Sequence, residues 1–155
     1  LINPWAGQAI LDLLNTMNEN GVRPELEVFE PGMISYAKKL IENQLLESTP
    51  VFNMFLGSPA TSDSSLLSAS SFLGQLPNGS EWAFAGIGRY HLPVAAMSIS
   101  AGGNVRVGME DSPGAFNEKS WSNLKSVSWV ASFAKSLKRE LATPEEARFR
   151  LGLER

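Results

Sequence analysis

The sequence has no cysteine and a single histidine, His91, among its 155 residues. Without cysteine there is no disulfide framework, thiolate metal site or cysteine nucleophile, and a reducing cytoplasm is the expected location. One histidine cannot supply the His-x-His or HExxH pair that a self-contained zinc site needs. At the predicted start of a helix, His91 is better interpreted as a hydrogen-bonded structural residue than as a ligand.

Long apolar runs and concentrated charge are also absent. Thirteen Lys and Arg residues against sixteen Asp and Glu leave a formal net charge of -3, which argues against a nucleic-acid or membrane-surface partner. No segment approaches the roughly 18 apolar residues of a membrane span. With 43% hydrophobic residues, we expect a single globular domain over residues 1–155. Because Leu1 is not preceded by an initiator methionine, we expect the chain to start inside a longer protein.

Hydrophobic periodicity alternates between strand and helix along the chain. It predicts strands at 26–29, 51–56, 82–85 and 104–108, and helices at 6–20, 32–46, 64–76, 92–100 and 121–141. Thr143 to Glu146 reads as a capping box that starts a terminal helix.

The resulting order, α-βα-βα-βα-βα-α, is typical of an α/β protein with a parallel sheet. The sheet could be doubly wound or could be half of a (βα)8 TIM barrel. Four βα units over about 120 residues match half of a barrel of about 250 residues. We therefore favour a C-terminal half-barrel of four βα units with a terminal helix.

Reacting groups in α/β folds lie at the C-terminal ends of the strands, and the fourth strand carries the clearest candidates there. With a side-chain period of two, Arg106, Gly108 and Glu110 are expected to share one face, with Asp111 beside them. A buried arginine needs an anionic partner, and Glu27 on the first strand is a further candidate. The spacing alone leaves two interpretations open with equal weight: a reactive centre, or a structural ion-pair network.

Gly86, Gly88 and Arg89 follow the third strand and precede a helix. Backbone N–H groups in such a segment can bind a phosphate at the helix N-terminus. A lone Gly-x-Gly is a weak signal, and a tight turn is its commoner meaning.

Nearly all of the chain resembles the β-keto acid cleavage enzymes, whose type member is 3-keto-5-aminohexanoate cleavage enzyme. The most specific resemblance is the combination of Gly-Ile-Gly-Arg at 86–89 with Arg-Val-Gly-Met-Glu-Asp at 106–111. Other matching segments lie at 24–29, 32–33, 55–57, 59–61, 92–93, 142–148 and 151–153.

The resemblance implies a (βα)8 barrel that is usually a homotetramer. It also implies a reaction in which a β-keto acid and acetyl-CoA give acetoacetate and a new acyl-CoA, at a zinc ion or another divalent metal. Glu110 would be a metal ligand and Asp111 the general base. Arg106 would orient Asp111, Glu27 would complete the network, and Gly86, Gly88 and Arg89 would bind the substrate or CoA.

The sequence also departs from the family pattern. The family's His-x-His ligands would precede residue 1, His91 stands where glutamine is common, and 112–116 differs from the usual stretch. The substrate therefore stays open. Two alternatives remain: an aldolase-type metal-dependent barrel lyase, which would not need acetyl-CoA, and a truncated half-barrel without catalysis, which would self-associate through its open edges.

We predict that these 155 residues alone do not catalyse the reaction, because one carboxylate cannot supply a three-ligand zinc site. The purified chain should bind no stoichiometric zinc and form no acetoacetate from a β-keto acid and acetyl-CoA. Detection of both would contradict the prediction.

Overall fold

The computed structural model describes residues 7–46, 50–112 and 121–153. These ranges contain four strands, β1 (Glu25–Val28), β2 (Val51–Leu56), β3 (Glu81–Gly86) and β4 (Asn104–Arg106). They also contain six helices, α1 (Gln8–Glu19), α2 (Pro31–Glu42), α3 (Leu66–Leu73), α4 (His91–Ser100), α5 (Asn123–Ser136) and α6 (Pro144–Arg150). A short 3-10 turn, Gly88–Tyr90, leads into α4.

The four strands form one parallel sheet in the order β1-β2-β3-β4. Parallel neighbours need a crossover connection, and α2, α3 and α4 provide one between each successive pair. The predicted α/β class, with strand–helix alternation and a parallel sheet, is confirmed.

One face of the sheet is apolar and forms the main core. Alternate residues of the strands, including Phe52, Met54 and Phe84, are fully buried on this face. They pack against Ile34 of α2 and Val94 of α4. Burial of these large side chains supplies most of the hydrophobic stabilisation of this layer.

The opposite face of the sheet is largely polar. The register places Glu27, Asn53 and Asn104 in line across the strands, with Arg106 further along the same face. An open cavity of about 710 Å³ lies over this face. The charged side chains at the C-terminal end of β4, Arg106, Glu110 and Asp111, line this cavity.

Among the described residues, β1 and β4 each pair with a strand on one side only. Leu14 of α1 packs against Leu40 of α2 and against Leu46, which forms a small second core beside β1. No helix in the described ranges is long and apolar enough to cross a membrane.

The fourth strand is shorter than its predicted range of 104–108 and ends at Arg106. Its ladder with β3 stops there because the Gly108 N–H donates to the side chain of His91. Residues 109–111 then form a turn. The expectation that Arg106, Gly108 and Glu110 share one strand face is therefore wrong, because the period of two does not extend past Arg106.

The helix predicted over 121–141 is also shorter than expected, and α5 ends at Ser136. Lys138 has a positive φ of 57°, which cannot continue a right-handed helix. Arg139 then donates to the carbonyls of Ile99 and Gly103 at the end of α4. The predicted capping box at Thr143 is confirmed.

Asp63 gives the α3 region a defined response to pH. Hydrogen bonds that Ser65 and, to a smaller extent, Ser68 donate to Asp63 lower its pKa from 3.8 to about 2. Because the folded-state pKa lies below the unfolded value, the stabilisation is complete above about pH 4 and is lost as the pH falls toward 2. We predict a steeper fall in unfolding free energy over this window for the native chain than for Asp63→Asn, measured by urea unfolding. Parallel curves would contradict this assignment.

Candidate active site

Arg106 lies at the C-terminal end of β4 and binds three carboxylates. Its Nε donates to Asp111 Oδ2 at 2.9 Å, and its Nη1 donates to Glu27 Oε1 at 3.1 Å. Its Nη2 lies 3.3 Å from Glu110 Oε2. The structure therefore brings together all four residues that the sequence singled out around the fourth strand.

The sheet explains how Arg106 reaches Glu27 on a strand three positions away. Register places Phe55, Ala85 and Arg106 side by side on the polar face. The guanidinium carbon lies 5.0 Å from the centre of the Phe55 ring, which gives the cation an aromatic surface to rest on. The small side chain of Ala85 leaves room for the arginine to extend across β3.

The three carboxylates differ sharply in exposure. The Asp111 side chain is 8% exposed, that of Glu27 is 50% exposed and that of Glu110 is 86% exposed. The hydrogen bond to Asp111 is the main reason that the pKa of Arg106 is raised above its ordinary value. Asp111 is therefore the firmly held anion, and Glu110 presents a solvated carboxylate at the rim.

The turn that carries Glu110 and Asp111 is fixed by hydrogen bonds at both ends. The Met109 N–H donates to Asn123 Oδ1 at 2.8 Å, and the Ser112 hydroxyl donates to the Gly108 carbonyl at 3.1 Å. Ser112 is fully buried. Residues 113–116, where the sequence departs from the family pattern, lie outside the described residues.

Gly86 is the last residue of β3, and Gly88 and Arg89 follow it beside this turn. A side chain at Gly86 would overlap the carbonyl of Tyr90. The Gly88 N–H donates to the Asp111 carbonyl at 2.8 Å, so in this structure it stabilises the turn. The Arg89 guanidinium is exposed and stacks on Tyr90 at 4.8 Å from the ring centre. Binding of CoA by this segment stays a prediction.

His91 is fully buried at the start of α4. Its Nδ1 lies 3.0 Å from the Gly86 carbonyl oxygen, and its Nε2 accepts the Gly108 N–H at 3.2 Å. The interpretation of His91 as a hydrogen-bonded structural residue is confirmed.

Sequence reasoning missed Asn123 and the role of Ser112. Asn123 follows the N-cap residue Ser122 of α5, and polar residues are common at such positions for local reasons. Nothing in the spacing indicates that its side chain reaches back to Met109. Only the packing of α5 against the sheet end reveals this contact.

The residues present do not by themselves fit a metal centre. In the described part of the chain, no group of three or more His, Cys, Asp or Glu side chains is placed to hold a metal ion. A catalytic zinc site normally uses three protein ligands and an open position. Glu110 is available as one ligand, whereas His91 is engaged at both ring nitrogens.

The Arg106–Asp111 pair lies at the C-terminal edge of the parallel sheet, the edge at which α/β enzymes place their active sites. Residues 3–153 match the family described as beta-keto acid cleavage enzyme, and the chain belongs to that family. The resemblance expected from the motifs is confirmed.

Three curated relatives show how much of such an enzyme this chain represents. It is 40% identical over 143 residues to the 3-keto-5-aminohexanoate cleavage enzyme of Fusobacterium nucleatum, covering 88% of the chain and 50% of the relative. It is 35% identical over 147 residues to the enzyme of the same name from Acetoanaerobium sticklandii, covering 93% and 53%. It is 32% identical over 144 residues to the 3-dehydrocarnitine:acetyl-CoA trimethylamine transferase of Rhizobium meliloti, covering 92% and 47%. The chain thus spans about half the length of the curated relatives it matches.

The different exposures of the carboxylates predict unequal coupling to Arg106. Loss of Arg106 leaves the buried Asp111 carboxylate without its cation, so Arg106→Met should cost about 3–5 kcal/mol of unfolding free energy. Double-mutant cycles with Asp111→Asn, Glu27→Gln and Glu110→Gln, followed by urea unfolding, measure each pair. We expect the coupling to be largest for Asp111 and below about 0.5 kcal/mol for exposed Glu110. Equal coupling for all three would contradict this order.

Proposed function

We propose that this chain is part of an acetyl-CoA-dependent β-keto acid cleavage enzyme. In the proposed reaction a β-keto acid and acetyl-CoA give acetoacetate and a new acyl-CoA. The observation that carries the proposal is the Asp111 carboxylate, only 8% exposed and held by Arg106 in a member of this family. The name of the Rhizobium meliloti relative includes acetyl-CoA, which supports the co-substrate.

Asp111 is proposed as the general base. It removes the acidic proton from the carbon between the two carbonyl groups of the substrate. The resulting carbanion attacks the acetyl thioester and expels CoA thiolate. The thiolate then attacks the substrate's own ketone, and retro-Claisen cleavage gives the new acyl-CoA and a carbanion that takes the proton back from Asp111 as acetoacetate. Arg106 binds both oxygens of Asp111, at 2.9 and 3.4 Å, and so holds the carboxylate in one orientation. Each oxygen keeps a second lone pair, so the carboxylate can still accept the proton.

Glu27 is proposed to complete this network from the other side of the guanidinium. Its contact at 3.1 Å fixes Nη1, so Arg106 is held between two strands that are not neighbours. An arginine fixed at both ends cannot swing away from Asp111 when substrate binds. Glu27, whose carboxylate is half exposed, is therefore a support for the base.

Glu110 is proposed as the single ligand that this chain contributes to a zinc or other divalent metal site. Its exposed carboxylate lies next to the base, and a metal there would polarise the substrate ketone. The described residues do not fit a complete metal centre, so no step is assigned to the metal.

The fold is proposed to be the C-terminal half of a (βα)8 TIM barrel, formed by a single domain over residues 1–155. Helices cover one face of a parallel sheet, and the other face is polar and open at both edges. The match to about half of each relative supports this interpretation. A homo-oligomeric assembly, a cytoplasmic location and CoA binding near Arg89 are proposed from the same resemblance.

The decisive test is the requirement for acetyl-CoA in the whole protein. We expect β-keto acid cleavage to stop when acetyl-CoA is omitted, whereas an aldolase-type lyase would continue. Asp111→Asn should lower kcat by about 10²–10⁴-fold with little change in KM, because it removes the base but keeps the shape. Asp12→Asn, on exposed α1, is the matched control and should leave both constants unchanged. Full activity of Asp111→Asn would overturn the role of Asp111.

A further inference from the structure

His91 lies buried between the end of β3 and the turn that carries Asp111. Its ring contacts Gly86 on one side and Gly108 on the other, and both contacts are with backbone groups. The geometry points to His91 as a positioning residue that fixes the segment 108–112, which contains the turn of residues 109–111. The inference rests on the proposed function only for the role of Asp111.

The two backbone partners determine the tautomer of the ring. A carbonyl oxygen can only accept, so Nδ1 must carry the hydrogen that reaches Gly86 O at 3.0 Å. An amide can only donate, so Nε2 must offer its lone pair to the Gly108 N–H at 3.2 Å. His91 therefore acts as a neutral Nδ1–H imidazole.

Gly108 immediately precedes the turn of residues 109–111, and its position affects that of Asp111. The Gly108 carbonyl accepts the Ser112 hydroxyl, which closes the turn at its far end. The Asp111 carbonyl accepts the Gly88 N–H, and Gly88 lies in the same segment as His91. The β3 end and the turn are thus joined twice, so a shift of Gly108 moves the Asp111 carboxylate relative to Arg106.

A positioning role differs from a packing role in what can replace the ring. Glutamine also offers one N–H donor and one acceptor at the end of its side chain, so it can serve Gly86 and Gly108 together. Leucine fills similar space but leaves the buried Gly86 carbonyl and the partly buried Gly108 N–H without these partners. The pair His91→Gln and His91→Leu therefore separates hydrogen bonding from volume.

The first measurement identifies the His91 ring signals in the whole protein as those that disappear in His91→Gln. A long-range ¹H–¹⁵N correlation spectrum of the neutral ring reports its tautomer without assignment of other residues. We expect a single Nδ1–H form with an unprotonated Nε2. An Nε2–H form, or an average of both forms, would overturn the proposal.

The second measurement is amide hydrogen exchange at Gly108. Loss of one hydrogen bond should speed this exchange by roughly tenfold in His91→Leu, whereas His91→Gln should keep it close to native. The amides of β2, which lie away from the ring, are the internal control. Unchanged exchange at Gly108 in His91→Leu would overturn the proposal, and if that variant does not fold, the tautomer and the His91→Gln exchange still decide.

The third measurement is turnover of a β-keto acid with acetyl-CoA in the whole protein. His91→Leu should lower kcat by at least tenfold with KM little changed, because Asp111 is misplaced but the cavity keeps its lining. His91→Gln should restore kcat, and failure to restore it would overturn the positioning role. Absence of turnover in the native protein would instead refute the proposed function, and the ring tautomer and Gly108 exchange would still decide the role of His91.

Discussion

Among the described residues, three carboxylates share the guanidinium of Arg106, and the geometry of the candidate site depends on it. Asp111 is withdrawn from water, so it needs a charged partner at short distance. Glu27 anchors the other side of the same guanidinium from β1. Within the part of the chain that the structure describes, three carboxylates face one guanidinium, so this cluster carries an excess of negative charge.

One face of the sheet forms the hydrophobic core, and the other face carries the charged cluster of the candidate site. Phe52, Phe84 and their neighbours on the apolar face are buried by the helices, and they hold the strands in register. The register then determines that Glu27 and Arg106 emerge on the polar face at the same end. Substitutions in the core would therefore act on the site indirectly, by shifting β1 and β4 relative to each other along the strand direction.

Sequence periodicity predicted the parallel sheet and the meeting of Glu27 with Arg106, because strand ends collect at one edge whatever the loops do. It did not predict where β4 stops. Beyond that boundary the Gly108 N–H donates to the side chain of His91 and not to a neighbouring strand. These two residues are 17 positions apart in the sequence. The end of α5 was also not predicted. The helix cannot continue through Lys138, which has a positive φ, and no glycine or proline at this position signals the end in the sequence.

Ala85 lies beneath the path that Arg106 takes toward Glu27. Ala85 therefore sets a limit on side-chain volume in the middle of the sheet. Someone recombining βα units between related enzymes would have to move the third and fourth units of this chain as a pair. A bulky residue at position 85 would separate Arg106 from Glu27 while both of these side chains were still present.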